Sequence, residues 1–378
     1  MPAPATLRDL RRLAVGRSLA PAPSLGAALD RLAFVQMDPL RAPARAQDLI
    51  VRQRAPRVRA GALEARYPAL AVEEDVLYAY GVMPRATWAL LHPRLAANGE
   101  PRAPVGLERD VLAFVREHAV RAPAHPHAVA AALGAASERN AWGGQSRATT
   151  RALERLHYWG LLRVARREAG IRLYEPATPP AAAAGAPDAP ERFRRLTLVA
   201  AALFAPVPER SLGEVVALML RYAAPHLRGA SDGGRGGVLR ALLADGRLEG
   251  AVVDGVRYLW PAEPSAPVRD GGARARILAP FDPVVWDRRR FEQLWGWAYR
   301  FEAYTPAPRR RFGHYAMPLL WRDDAVGWAS AAVRQGTLDV RAHFVHRRPA
   351  DPAFDRAFEA EVERLRTFLA LPSAAWSP

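Results

Sequence analysis

SRATTRALERLHYWGLLRVARREAGIRLYE, residues 146–175, is the stretch whose reading decides the fold. Ser146 suits a helix N-cap, helical spacing runs to about Trp159, and Gly160 ends the helix because glycine adopts the left-handed conformation at no steric cost. From Leu161 to Glu175 the period changes to two. Leu162-Arg163-Val164 answers Ile171-Arg172-Leu173-Tyr174 across a turn at Gly170, the pattern of a hairpin. Upstream, Leu107 to His118 sets Leu107, Val111, Leu112 and Val115 on one apolar face, and a shorter helix, His127 to Leu133, follows Pro126 and stops at Gly134. A turn at Gly143-Gly144 leads back to Ser146. Three helices followed by a two-stranded hairpin is the winged-helix plan. On that plan Arg147 and Arg151, one turn apart on the third helix, stand where a recognition helix meets DNA. Winged helices that bind only protein share the plan, so these two arginines do not decide the function.

The same order returns downstream. Residues 177–190 are almost pure Ala and Pro, a linker or loose loop. Beyond them come helices over Phe193 to Phe204, Leu212 to Tyr222 and Gly237 to Ala244. A hairpin follows, Leu248 to Val253 with Val256 to Trp260, turning at Asp254-Gly255. At the N-terminus, Thr6 to Ala14 and Leu25 to Ala33 read as two short helices. After them come a short extended stretch, a helix over Arg45 to Arg54, another near Ala60 to Tyr67, an irregular passage from Ala71 to Met83, and a helix from Pro84 to about Ala97. After a second loose connection, 261–272, a helix at Asp287 to Gly296 precedes alternating segments near Tyr299 to Tyr304, Gly313 to Trp321, Ala325 to Val333 and Thr337 to Phe344. A helix over Pro352 to Leu369 closes the chain. The expected fold is α+β, mostly α: a divergent winged-helix-like domain over 1–104, winged helices over 105–176 and 191–262, and a small β-barrel with a C-terminal helix over 273–378. Such an array implies an extended, concave binding surface.

Composition bounds the partners. The 378 residues carry 54 basic and 38 acidic side chains, a net charge of +16, and no Lys, so every basic side chain is Arg. The surplus of Ala, Pro and Arg fits a GC-rich genome, but codon bias alone would not hold Asp and Glu so low. The imbalance points to a polyanion, most simply nucleic acid. No apolar run reaches the roughly 18 residues of a membrane span, and the Arg-interrupted N-terminus lacks a signal-peptide core, so the expected location is cytoplasmic, with the nucleoid. With no Cys there is no disulfide framework, thiolate nucleophile or Cys-based zinc site. His125-Pro126-His127 is the most closely spaced His pair, and the intervening Pro argues for a helix start over a metal site. No metal or cofactor is expected.

The candidate chemistry lies in Phe34-Val35-Gln36-Met37-Asp38-Pro39. In extended backbone the period of two puts Gln36 and Asp38 on one face and Met37 on the other. A carboxylate orients a water or stabilises a developing cation, and a carboxamide beside it holds that water in place. A strand ending in the turn opener Asp-Pro would read the same on these residues alone. The following helix sets Arg45, Arg52 and Gln53 near one another, with Arg54 further round, as a candidate basic face. A second basic candidate is Arg309-Arg310-Arg311, flanked by Tyr304, Phe312 and Tyr315, a pairing suited to phosphate and base contacts. A solvated loop beside core aromatics has the same composition.

Together these segments resemble a known family. Gln36-x-Asp38 followed by Arg45-Ala46, Leu49 and Arg54 is similar to the crosslink-repair DNA glycosylases of the YcaQ and AlkZ type. The far segments Pro280-Phe281-Asp282-Pro283-x-x-Trp286-Asp287-Arg288, Tyr304-Thr305-Pro306-Ala307 and Arg310-Arg311-Phe312-Gly313-x-Tyr315 resemble that family's second signature. The resemblance implies tandem winged helices, a C-terminal β-barrel, and metal-free, monofunctional excision of alkylated bases, interstrand crosslinks included, with Gln36 and Asp38 as the catalytic pair. The chain departs from many members in having Gln47-Asp48 in place of two His, and Pro39 directly after Asp38.

The residues fit that chemistry independently. N7-alkylation makes the purine a cationic leaving group, so the difficulty lies in the oxocarbenium-like sugar, which Asp38 would stabilise while activating a water positioned by Gln36. A Schiff-base lyase step has no Lys to use. The N-terminal amine is the only primary amine, and nothing in the sequence places it near Asp38. The expectation is a monomeric, monofunctional glycosylase acting on damaged or crosslinked duplex. The alternative is a non-catalytic winged-helix DNA-binding protein or transcription regulator, which would favour repeated sequences and dimerise. A nuclease is disfavoured because no carboxylates cluster at metal-ligand spacing.

Overall fold

Thr6 accepts a hydrogen bond from the Asp9 N–H at 3.2 Å, and the Asp9 carboxylate accepts the Thr6 N–H at 3.1 Å. This reciprocal capping box starts the first helix of a computed structural model that describes residues 5–96, 99–134, 136–139, 144–177, 187–230, 233–262 and 272–372. In chain order the elements are α1 (Leu7–Ser18), α2 (Leu25–Leu32), β1 (Val35–Gln36), α3 (Ala46–Arg52), α4 (Ala62–Ala65), β2 (Val72–Val76), β3 (Tyr80–Pro84), α5 (Arg85–Leu91), α6 (Leu107–His118), α7 (Pro126–Leu133), β4 (Ser137–Arg139), β5 (Gln145–Arg147), α8 (Ala148–Trp159), β6 (Leu162–Glu168) and β7 (Ile171–Pro176). There follow α9 (Ala189–Leu203), β8 (Val207–Pro208), α10 (Glu209–Leu218), α11 (Gly234–Ala244), β9 (Leu248–Val253), β10 (Val256–Pro261), β11 (Ala275–Ile277), α12 (Pro283–Trp286), α13 (Arg288–Trp295), β12 (Met317–Trp321), β13 (Asp324–Arg334), β14 (Thr337–Phe344) and α14 (Ala353–Phe368). They form two compact units, one of Met1–Leu63, Thr197–Val215 and Leu239–Pro378, the other of Glu64–Leu196 and Val216–Val238. The turn at Gly143 and the connections 178–186 and 263–271 lie outside the described residues, as does the N-terminal amine.

In the first unit, Leu10, Leu13, Ala14 and Val15 of α1 are buried against Val284 and Val285 of α12 and Phe291, Leu294 and Trp295 of α13. Two antiparallel sheets belong to this unit, ordered β8-β10-β9 and β11-β12-β13-β14. The β9–β10 hairpin turns at Asp254-Gly255, where the two φ angles are +49° and +75°, the conformation that an Asp-Gly turn supplies. The C-terminal sheet differs from the expected small barrel. β11 and β14 are its two edges and do not pair, so it is an open sheet, about half of a barrel. The alternating segment Tyr299 to Tyr304 forms no strand. Tyr299 packs into the aromatic core and donates its hydroxyl to Ala316 O at 2.7 Å, so side-chain packing produces the alternation that looked like pleating.

In the second unit, Val111, Leu112 and Val115 of α6, Val129 of α7, and Ala152, Leu153 and Leu156 of α8 enclose a core with Leu162, Val164 and Tyr174 of the β6–β7 hairpin. Gly160 ends α8 at φ +80°, and a Cβ there would stand 2.2 Å from the His92 ring, so both backbone and space require glycine. Ser146 does not cap α8. It lies in β5, paired with Glu138 of β4, and Arg147 occupies the N-cap position with no side-chain cap bond. The passage from Ala71 to Met83 is a regular hairpin, β2–β3, and its Glu73, Glu74 and Asp75 are buried. Arginines make that burial tolerable: Arg163 pairs with Glu73 at 2.8 Å, Arg167 with Glu74 at 2.6 Å, and Arg94 with Asp75 at 3.0 Å.

Candidate active site

The catalytic candidates sit where α2 stops. Ala33 takes a left-handed conformation (φ 57°), and the chain turns into β1 with Phe34 and Val35 fully buried. β1 ends at Gln36, so Asp38 lies in a turn, where its Oδ1 accepts the Leu40 N–H at 2.9 Å. From α3, the buried Gln47 places its Oε1 3.2 Å from the Asp38 N–H. Asp38 is thus held twice, through its backbone by Gln47 and through its side chain by its own turn. Gln36 is held from the far end of the sequence, since the indole N–H of Trp286 at the close of α12 donates to Gln36 Oε1 at 2.9 Å. An indole N–H only donates, so the carboxamide oxygen faces Trp286 and the NH2 group turns away from it.

Gln36 and Asp38 are both half-buried. Burial pushes the Asp38 carboxyl above its ordinary range, only partly offset by the Leu40 N–H. Among the described residues Asp38 has no ion-pair partner. Its charge acts on the buried phenol of Tyr315, whose ring meets Phe301 edge-on at 5.4 Å. Phe301 in turn contacts Phe281 at 5.0 Å and the exposed Tyr304 at 6.1 Å. A carboxylate, a fixed carboxamide and an aromatic wall together can bind a flat, cationic base and activate water beside it.

The predicted arginines divide sharply. Arg54 is buried and its two Nη atoms hold Asp282 at 2.7 and 2.9 Å, while its other donors go to Ser18 and Ile50. Arg52 holds Glu361 at 2.6 Å and lies over the Phe368 ring, and Gln53 reaches the same carboxylate at 2.7 Å. The expected phosphate contacts at Arg52 and Arg54 are therefore corrected: Arg54 holds the buried Asp282 through both Nη atoms, and the Arg52 side chain is buried with its Nη2 on Glu361, both inside the first unit. Arg45 is half-buried. Arg147 is exposed, and Arg151 is half-buried and paired with Glu154 at 3.1 Å. Arg309 and Arg311 are exposed, and Arg310 is half-buried with its Nε donated to Thr305 O. The sequence reading missed Gln47 and Trp286 as supports of the pair. Trp286 stood in the far signature, but nothing local announces its partner. Among the described residues no three His, Asp or Glu side chains group to hold a metal ion, and no helix is long and apolar enough to cross a membrane.

Residues 29–368 match the model of the family described as DNA glycosylase AlkZ-like. The structure is similar to that of the Streptomyces sahachiroi DNA glycosylase AlkZ, with a TM-score of 0.58 at 15% identity over 95% of this chain and 96% of that one, a likeness of fold. The family match takes in both Gln36-x-Asp38 and the segments around Trp286 and Tyr315. The chain belongs to the AlkZ-like DNA glycosylase family, enzymes that hydrolyse N-glycosyl bonds in DNA.

Proposed function

We propose that the protein is a monofunctional glycosylase for N7-alkylated purines, crosslinked guanines included, and that Asp38 and Gln36 carry the hydrolysis. The observation that carries this reading is the Gln36–Asp38 pair itself, a half-buried carboxylate without an ion-pair partner among the described residues, two positions from a carboxamide fixed by Trp286. As the bond from the sugar to the cationic base stretches, its electron pair neutralises the base, and positive charge grows on the sugar opposite Asp38. The carboxylate stabilises that charge and takes a proton from the attacking water, which the Gln36 amide holds. The new C–O bond leaves an abasic sugar. The chain contains no Lys, so no lysine Schiff base forms and the abasic strand stays uncut.

The fold supports a matching mode of binding. In this reading α6 to α8 with the β6–β7 hairpin form one winged helix, α9 to α11 with the β9–β10 hairpin form another, and the N-terminal residues form a divergent third. In this reading the exposed Arg147, Arg309 and Arg311 and the half-buried Arg45, Arg151 and Arg310 are the candidate phosphate contacts. A base tethered to the opposite strand cannot rotate freely out of the duplex, which favours an open site over a deep pocket. The protein would act as a monomer on nucleoid DNA with little sequence preference. The test is incubation with a nitrogen-mustard-crosslinked duplex, followed by denaturing electrophoresis and alkaline cleavage. Unhooked strands that break only after alkali support the reading, and intact crosslinks remove that substrate class.

A further inference from the structure

Tyr304 is set apart from the other aromatic side chains of the first unit. Phe291, Trp297, Tyr299, Phe312 and Tyr315 are buried, whereas Tyr304 is 77% exposed, the most open Phe, Tyr or Trp ring among the described residues. A single exposed ring is ordinary on a loose loop. This loop is braced. The buried Glu302 accepts the Phe312 N–H on its carboxylate at 2.7 Å and the Thr305 N–H on its carbonyl at 3.0 Å. Arg310 donates to Thr305 O at 2.7 Å and to Ala303 O at 3.5 Å, so one side chain grips the backbone on both sides of Tyr304. Beyond it, Pro306 and Pro308 stiffen a single 3₁₀ turn, Ala307–Arg309.

The ring is held from one direction only. Phe301 meets it at 6.1 Å and 80°, and Phe301 is itself wedged between Phe281 at 5.0 Å and Tyr315 at 5.4 Å. A ring at right angles covers at most one face of its neighbour, so at least one face of Tyr304 stays open. On the same loop Arg309 and Arg311 are exposed, and Arg311 lies over the Phe312 ring at 5.3 Å. Neither arginine pairs with a carboxylate among the described residues. A pre-ordered open ring beside uncompensated cations matches a partner with flat bases and phosphates. Stacked neighbours cover the base faces of an intact duplex, so such a ring finds a face only where a base has left the stack.

We propose that Tyr304 is a stacking residue for DNA, whose open face takes an unstacked base at or beside the damaged position while Arg309 and Arg311 hold the adjoining phosphates. The inference rests on the family's action on DNA and not on the hydrolytic role of Asp38.

The test compares binding, by fluorescence anisotropy at one salt concentration, to a perfect duplex and to the same duplex with one unpaired 2-aminopurine. The proteins are full-length wild type, Tyr304→Phe, which keeps the ring, and Tyr304→Leu, which keeps apolar bulk without an aromatic face. Because the side chain is exposed, all three should melt alike. Wild type and Tyr304→Phe should favour the duplex with the unpaired base and quench its 2-aminopurine. Tyr304→Leu should bind that duplex about 10-fold more weakly, leave it unquenched, and match wild type on the perfect duplex. Equal affinity of Tyr304→Leu and wild type for the unpaired base would overturn the proposal. So would an equal loss on both duplexes, or a loss shared by Tyr304→Phe, which would assign the effect to the hydroxyl. No readout involves base release, so a failure of the hydrolytic reading leaves this outcome decided.

Discussion

The indole N–H of Trp286 donates to Oε1 of Gln36 at 2.9 Å, joining residues 250 positions apart. One hydrogen bond thus ties the N-terminal Gln-x-Asp stretch to the C-terminal signature and fixes which way the carboxamide faces. Trp286→Phe keeps an aromatic ring against Phe204 but removes the donor. A neutral hydrogen bond contributes on the order of 1 kcal/mol, so single-turnover excision should fall about 3- to 10-fold with little change in melting temperature. Unchanged excision would mean that Gln36 needs no such orientation.

Asp38 should set opposite demands on activity and stability. Burial raises its folded carboxyl above 3.8, so between 3.8 and the folded value the native state holds more proton than the unfolded chain. Stability linked to Asp38 is therefore present below 3.8 and lost as pH rises through the folded value, whereas the proposed role of Asp38 in hydrolysis calls for the ionised form, so activity should rise across that window. Asp38→Asn should melt at or above wild type at pH 7, with the advantage vanishing in acid. Differential scanning calorimetry at several pH values measures this, and a clear loss of stability at pH 7 would contradict it.

The Arg54–Asp282 pair is structural. Both partners are buried, and removing one leaves the other charged without compensation, a loss of roughly 3–5 kcal/mol. Asp282→Asn should show that loss in urea unfolding. Arg54→Met should show it too, yet leave the salt dependence of duplex binding unchanged wherever the protein stays folded.

Exposed arginines should behave in the opposite way. Each of Arg147, Arg309 and Arg311, changed to Gln, should leave unfolding nearly unaffected. Where the guanidinium neutralises a DNA phosphate, its removal should flatten the slope of log affinity against log salt by about 0.9. A variant whose slope matches wild type identifies an arginine that does not touch phosphate.

These residues also show what the sequence discloses. The spacing of Gln36 and Asp38 is read from the sequence because it is local, but the extended backbone expected through Asp38 stops at Gln36, and Asp38 lies in a turn. The helices around Val111, Leu153 and Leu10 were legible because their apolar period matches the helix. Arg52 and Arg54 were misread because a cation on a helix looks the same whether it faces water or a carboxylate 309 or 228 residues away. The hairpin over 72–84 was hidden by Glu73-Glu74-Asp75, a run that looks solvated until Arg163, Arg167 and Arg94 fold onto it. The strand expected at Tyr299 to Tyr304 failed for the converse reason, since irregular backbone that buries alternate aromatics mimics a pleat.

The central claim is that Asp38 performs the hydrolysis, and the most direct measurement is single-turnover release of 7-methylguanine from duplex by wild type and by Asp38→Asn at neutral pH. The account predicts abasic product from wild type and a rate lower on the order of 10²- to 10³-fold for the variant, with duplex affinity retained. Equal rates for the two proteins would contradict it.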